Sequence, residues 1–241
     1  MEAAEDKRRA LAMVAKRVAA CRACSLCKGR TNAVPGEGNA DADIMFIGEG
    51  PGFYEDQQGR PFVGASGKFL DELIGKIGYD RRKVFIANVV KCRPPQNRDP
   101  QPDEIEACGA YLDEQISIID PKVIVTLGRH SMQRYFPGEA ISKVHGQPRR
   151  KGGQIVVPMY HPAAALHQGN LRKVIEADFA KLPDFLSRAL NGGVAASASG
   201  APAPVPAHLR VQPESPQAGA SKTPAAASTS STEEPQQMRL L

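Results

Sequence analysis

No stretch of this 241-residue chain approaches 18 consecutive apolar residues, so nothing in it reads as a membrane-spanning helix. The amino terminus, MEAAEDKRRALAMVAKRVAAC, is acidic at its start and lacks an apolar run of secretory-leader length, which predicts a cytoplasmic protein. Two nucleotide signatures are missing as well. GRPFVGASGKF carries Gly67-Lys68, but a phosphate-binding loop needs glycine where Phe62 stands and serine or threonine where Phe69 stands. There is no dinucleotide fingerprint either. Cysteine is scarce, at five residues, and in a reducing compartment close spacing of so few points to metal binding or catalysis rather than disulfides.

Phenylalanine and tyrosine are absent from residues 192–241, where proline, alanine and serine dominate. Such a composition buries too little apolar surface to offset the entropy of ordering, and the segment is predicted to be a disordered tail. Its charges balance: Arg210, Lys222 and Arg239 against Glu214, Glu233 and Glu234. The net charge of +5 therefore belongs to residues 1–191, where it permits a negatively charged partner without demanding one. With 41% hydrophobic residues overall, 1–191 is expected to be one packed domain acting as a monomer.

Four short apolar runs punctuate that domain: Ile44 to Gly48, Val84 to Asn88, Val123 to Gly128 and Ile155 to His161. Each is β-branched or aromatic and bounded by turn residues. Helix-like segments, Lys68 to Gly78, Asp103 to Ile119 and His130 to Phe136, alternate with the first three. This predicts an α/β fold, a three-layer α/β/α sandwich around a central, mainly parallel four-stranded sheet. Pro158 has no N–H, so the fourth run is expected at a sheet edge.

Ligands of open α/β sheets bind beyond the carboxyl ends of the strands. The residues there are Glu49, Asn88, Gly128 and His161, so an acid, an amide and an imidazole should share one crevice. The segment GEGPGFYEDQQGRPFVG, residues 48–64, reads as poor helix and poor strand and would form the loop at its mouth, where backbone must approach a ligand closely. Within that loop Asp56 and Arg60 are expected to brace one another by a salt bridge. Cys21 and Cys24 form a C-x2-C pair, Cys27 follows at the same interval, and Cys92 and Cys108 come later in the chain. Four thiolates from these five could hold a metal centre, and spacing leaves zinc and an iron–sulfur cluster both open.

Three motifs, GEGPGFYEDQQGRPFVG, ANVVKCRPPQNRDP and YHPAAAL, resemble the signature regions of the family 4 uracil-DNA glycosylases, bacterial and archaeal repair enzymes that carry a 4Fe-4S cluster. The resemblance runs from about Cys21 to Leu182. It implies the fold of those enzymes, a 4Fe-4S cluster held by Cys21, Cys24, Cys92 and Cys108, with Cys27 left over, and excision of uracil from DNA. By the same resemblance Phe62 would stack on a flipped uracil, with Gly50 also on the substrate side. Asn88 can offer a donor and an acceptor to the O4/N3 edge, a pairing that cytosine would reverse. His161 would donate to O2 as negative charge builds there. Glu49 stands where family 1 enzymes have their water-activating Asp, one methylene longer, and Glu55 competes with it for that role.

After His161, HPAAALHQGNLRK would enter the minor groove with Leu166 as the wedge, and the basic stretches KCRPPQNR and QPRRKGG would contact phosphates. The final residues, Gln237 to Leu241, resemble the short peptides that dock bacterial repair proteins on the sliding clamp. The alternative function is a uracil-DNA binding protein that captures DNA covalently or without catalysis. Related iron–sulfur members form such adducts through a His in a basic insertion. No comparable insertion interrupts VHGQPRRKGG, although His145 precedes that basic run.

Overall fold

Strands without polar alternation must be covered on both faces, and the fold meets that demand with helices above and below one sheet. The structure, a computed structural model, describes residues 2–191. The tail, with Gln237 to Leu241, lies outside the described residues. In chain order the elements are α1 (Glu2–Ala20), β1 (Glu37–Gly38), β2 (Ile44–Gly48), α2 (Phe53–Gln58), α3 (Ala65–Lys76), β3 (Phe85–Asn88), α4 (Pro102–Ile119), β4 (Val123–Leu127), α5 (Arg129–Gln133), α6 (Ile141–Val144), β5 (Arg149–Lys151), β6 (Gln154–Met159), α7 (Pro162–His167), α8 (Gly169–Phe179) and α9 (Leu182–Asn191).

The sheet runs β1-β3-β2-β4-β6-β5. Its four inner strands are parallel, with Gly48 opposite Asn88, Ile47 opposite Thr126 and Leu127 opposite Met159. These are the four strands expected from the apolar runs. The described residues add two short antiparallel edges, β1 and β5, which carry no apolar signal: one has two residues and the other is Arg-Arg-Lys. The expectation that β6 would be an edge strand is corrected by β5. That strand pairs with β6 only from Gln154 to Val156, so Pro158 lies past the end of the ladder and its missing N–H breaks nothing.

Successive residues of each inner strand face opposite layers. Ile44 and Phe46 pack with Leu70, Leu73, Phe179 and Phe185 from α3, α8 and α9, and the rings of Phe46 and Phe179 stack at 5.8 Å. Met45 and Ile47 face the other way, toward Leu112 of α4, Met132 of α5 and Val144 of α6. α1 lies outside α4, burying Val14 and Val18. No helix among the described residues is long and apolar enough to cross a membrane.

The 48–64 segment departs from the expected loop by forming α2. The glycines around it look like breakers but act as caps. The Gly52 N–H donates to the Glu55 carboxylate at 3.2 Å, and Gly59 closes the helix in the left-handed region at φ 67°. α3 likewise starts at Ala65, three residues earlier than its apolar periodicity suggests, and α5 ends at Gln133, before the expected Phe136.

α4 begins at Pro102 over a buried acid. Glu104, 1% exposed, accepts from Arg98, from the Gln101 N–H at 2.8 Å and from the Ser25 hydroxyl at 3.1 Å, tying three segments together. Arg98 leads in pulling its carboxyl down to about 2, against its burial. A carboxyl depressed in the folded state adds stability that is complete above its unfolded value and lost as pH falls toward 2. Glu104→Gln should therefore lower the unfolding free energy at pH 7 by about 3 kcal/mol. In urea melts at pH 7, 4 and 2.5 the deficit should shrink steadily, and an unchanged deficit at pH 2.5 would contradict this role.

Candidate functional site

The chain enters β2, crosses to β3 on one side and then to β4 on the other, so the connections diverge at the carboxyl end of β2. A crevice of about 450 Å³ opens there. Glu49, Gly50, Phe62, Asn88 and His161 all line it, together with Glu55. Two residues expected there do not line it: Gly128, which lies behind the His161 side chain, and Leu166, which sits half exposed on α7 beside the crevice residues Ala163 and His167.

Phe62 is held in an unusual backbone state. It is 5% exposed with φ 52°, a left-handed conformation that strains any residue with a Cβ. Two side chains stabilise it from opposite sides. The Glu55 carboxylate accepts from the Val63 and Gly64 N–H groups at 2.8 and 3.0 Å, while Arg81 donates to the carbonyls of Pro61 and Phe62. Arg81 is in turn paired with Glu37 and Asp71. Asp56 and Arg60 do brace the loop, but not through each other. Asp56 accepts from the Thr31 and Asn32 N–H groups, and Arg60 pairs with Glu37. Their short-range salt bridge fails because Asp56 points inward, 2% exposed, and Arg60 outward.

Asn88 is 2% exposed, and its Oδ1 is buried without any hydrogen-bond partner. A buried amide oxygen left unsatisfied costs about 1–3 kcal/mol, which a donor entering the crevice would recover. Its backbone is anchored by Lys91. The Lys91 ammonium, 1% exposed, donates to the Asn88 carbonyl at 2.9 Å and to Gln115 Oε1 at 2.7 Å, and burial lowers its pKa to about 8. Lys91 is thus spoken for and is no phosphate contact.

His161 caps α7, its Nδ1 accepting from the Ala163 N–H at 3.1 Å. That contact leaves the ring proton on Nε2. Burial pushes the pKa down to about 4, only partly opposed by Glu55, so the ring is neutral at physiological pH. It stacks on Phe62 with centroids 5.5 Å apart. Glu49 has no backbone donors like those of Glu55. Its carboxyl is 30% exposed and lies 3.8 Å from His130 Nε2, which itself is 3.4 Å from Asp99. Burial raises the Glu49 pKa, with His130 pulling it back. His130 and Asp99 carried no sequence signal: His130 is the second residue of α5, two after Gly128, and Asp99 sits in a loop with no periodicity to mark it.

Around the mouth, Arg98 lines the crevice and Arg93 lies over the ring of Phe53. The other basic stretch, QPRRKGG, is elsewhere. β5 runs antiparallel to β6, so its turn at Gly152-Gly153 falls at the end of the sheet opposite the crevice. His145 is also remote from the crevice lining, with Nδ1 held 2.6 Å from Asp178 and its ring against Tyr160.

A second cavity lies beneath Asn88. Cys21, Cys24, Cys27, Cys92 and Cys108 all line it, with Arg30, Lys91 and Tyr111. Hydrogen bonds converge on the sulfurs: Arg30 donates to Cys92 at 3.0 Å, the Lys91 N–H to Cys108 at 3.2 Å and the Ala23 N–H to Cys21 at 3.5 Å. Burial pushes the Cys108 thiol up to about 11, with Lys91 opposing. Among the described residues no three cysteine sulfurs gather within 4.8 Å of one another, unlike the Glu49, Asp99 and His130 ligand atoms.

Comparison with known proteins gives one consistent result. The family described as the uracil DNA glycosylase superfamily matches residues 35–185. A type-4 uracil-DNA glycosylase of Sulfurisphaera tokodaii is 55% identical over 185 residues, covering 73% of this chain and 84% of that protein. One of Saccharolobus solfataricus is 52% identical, covering 73% and 87%, and one of Thermotoga maritima is 46% identical, covering 73% and 94%.

Proposed function

Because this chain belongs to the uracil-DNA glycosylase superfamily, and within it to the type-4 enzymes, we propose that it extrudes uracil from DNA and hydrolyses the bond between N1 and the sugar. It is a uracil-DNA glycosylase, a hydrolase of N-glycosyl bonds that acts in DNA repair. The observation that carries the reading of the site is the unpartnered Asn88 Oδ1 in the crevice. Uracil N3–H supplies the missing donor, and the amide NH2 reaches O4. Cytosine presents an acceptor at N3 and a donor at position 4, so both pairings would fail and leave buried groups unsatisfied.

Phe62 stacks on the extruded ring, recovering part of the few kcal/mol that extrusion costs. As the N-glycosidic bond breaks, its electron pair stays with the base and charge builds on O2. The His161 Nε2–H donates there, and a neutral imidazole suits the task because its proton stays on Nε2 over the working pH range. Glu49 holds the water that adds to the sugar carbon, while Glu55 serves as the brace of the Phe62 loop; three backbone donors on Glu55 and none on Glu49 support that division. Leu166 fills the hole left by the extruded base. Capture through His145 finds no support, given its commitment to Asp178.

The cysteine cavity fits an iron–sulfur cluster. N–H donors aimed at several sulfurs are what cluster thiolates receive. Cys21, Cys24, Cys92 and Cys108 would hold it, and bound there it cross-links the segments after α1 and β3 to α4. Aerobically purified protein should be brown with broad visible absorption, and protein that stays colourless after anaerobic reconstitution would sink the assignment. The carboxy-terminal Gln237 to Leu241 is proposed as a sliding-clamp peptide on its tether, and deleting those five residues should abolish clamp binding while leaving excision intact. Undiminished clamp binding would dispose of it.

Incubation with a uracil-containing oligonucleotide, split between alkaline cleavage and a denaturing protein gel, tests the function. Alkali-labile ends without a shifted protein band are expected, and a heat-stable shifted band would indicate capture instead. Glu49→Gln should slow single-turnover excision by about 10²-fold or more, the usual reach of a positioned acid or base. Since the raised Glu49 pKa must be passed before the carboxylate exists, the wild-type rate should fall on acidification already above the ordinary carboxylate range, and the variant should lose that limb. His161, pushed down to about 4, adds no limb near neutrality. A full rate in Glu49→Gln would remove it from the mechanism.

A further inference from the structure

α2 is inside out. Its buried residues are the acids Glu55 and Asp56, whereas Phe53 and Tyr54 are 50% and 60% exposed. The chain has no tryptophan, eight phenylalanines and five tyrosines, so a solvent-facing aromatic pair is a notable use of a scarce residue type. Nothing in the helix requires it, because alanine or glutamine would serve the same exposed positions at no loss of helix propensity. The two rings meet edge to face with centroids 5.4 Å apart at 82°. The Arg93 guanidinium lies 5.1 Å over the Phe53 ring and also donates to Asn97 Oδ1 at 2.7 Å, which fixes the ring against a cation.

Position makes the pair more than a surface accident. Gly52 before it, Glu55 after it and Asn97 beneath Arg93 all line the crevice. The pair therefore stands on the lip where the DNA strand must pass on its way into and out of the crevice. Across the crevice the other lip carries Leu166, exposed by 49% on α7.

We propose that Phe53 and Tyr54 form a stacking platform for the base next to the uracil on the same strand, and that the platform engages unpaired rather than duplex DNA. The inference rests on the uracil-excising reading given above. Its physical reason is access. A base within a duplex has both faces covered by its neighbours, whereas in a single strand it can be unstacked cheaply and laid on an aromatic ring, and every base has such a face. Arg93 adds positive charge beside the ring, where the backbone phosphate of a stacked nucleotide runs. Uracil is thereby recognised by the crevice and its single-stranded surroundings by the lip.

The experiment compares the wild-type protein with Phe53→Ala, Tyr54→Ala and the double variant on the same uracil sequence, single-stranded and in a U·A duplex, at one fixed salt concentration. On the single strand each substitution should raise KM about tenfold, the size of one lost base stack, while the saturating single-turnover rate stays within about twofold. On the duplex KM should change by less than about twofold. Phe53→Trp should retain single-strand KM, because a larger ring still stacks. Equal changes on both substrates, unchanged KM on both, or a loss confined to the saturating rate would each overturn the platform. A wild-type protein that releases no uracil from either substrate would instead defeat the glycosylase reading, which keeps the two failures apart.

Discussion

Gly48 ends β2 with no Cβ, and the crevice is assembled in the space that leaves. A methyl group there would lie 2.4 Å from Asn88 Oδ1 and 2.6 Å from the tip of the Phe62 ring. The amide proposed to read a base and the ring proposed to stack on it can meet only across a backbone without a side chain. Gly67 does the same from α3, where a Cβ would lie 1.9 Å from the Phe62 carbonyl. Strand, loop and helix are thus drawn onto one phenylalanine, and its left-handed backbone is the consequence.

Carboxylates in this protein divide sharply by what surrounds them. Glu55, Asp56 and Glu104 are buried and spent on N–H groups and an arginine, Glu55 closing its own loop and the other two tying theirs to distant segments. Glu49 is the crevice acid held by no backbone donor, and burial raises its pKa. A brace needs its oxygens occupied, whereas a group that handles water needs them free. Two acids six residues apart in one motif are therefore suited to opposite tasks.

Lys91 joins the two cavities. Its main-chain N–H donates to Cys108 and its side chain to the carbonyl of Asn88, so whatever orders the cysteines also orders Asn88. Buried lysine is expensive to desolvate, and two oxygen partners offset part of that cost. The cysteine centre and the crevice are one connected structure rather than neighbours.

The sequence alone determined much of this. Apolar runs marked the four parallel strands because burial on both faces forbids polar alternation, and the strand end at Asn88 followed directly from them, while His161 lies two residues past the end of β6, as the cap of α7. The motifs around Glu49, Phe62 and His161 named the family. What sequence could not carry was anything decided by partners far along the chain. β1 and β5 exist only as additions to a finished sheet edge. Asp56 met Thr31 and Asn32 rather than Arg60, Arg60 met Glu37, and Glu49 came to lie against His130, all through residues 23 to 81 positions away, whereas Glu55 was occupied by backbone within nine residues of itself. Local periodicity records how a segment is covered, while the partner of a charged or polar group is chosen by the packed fold, and only the tertiary structure holds that choice.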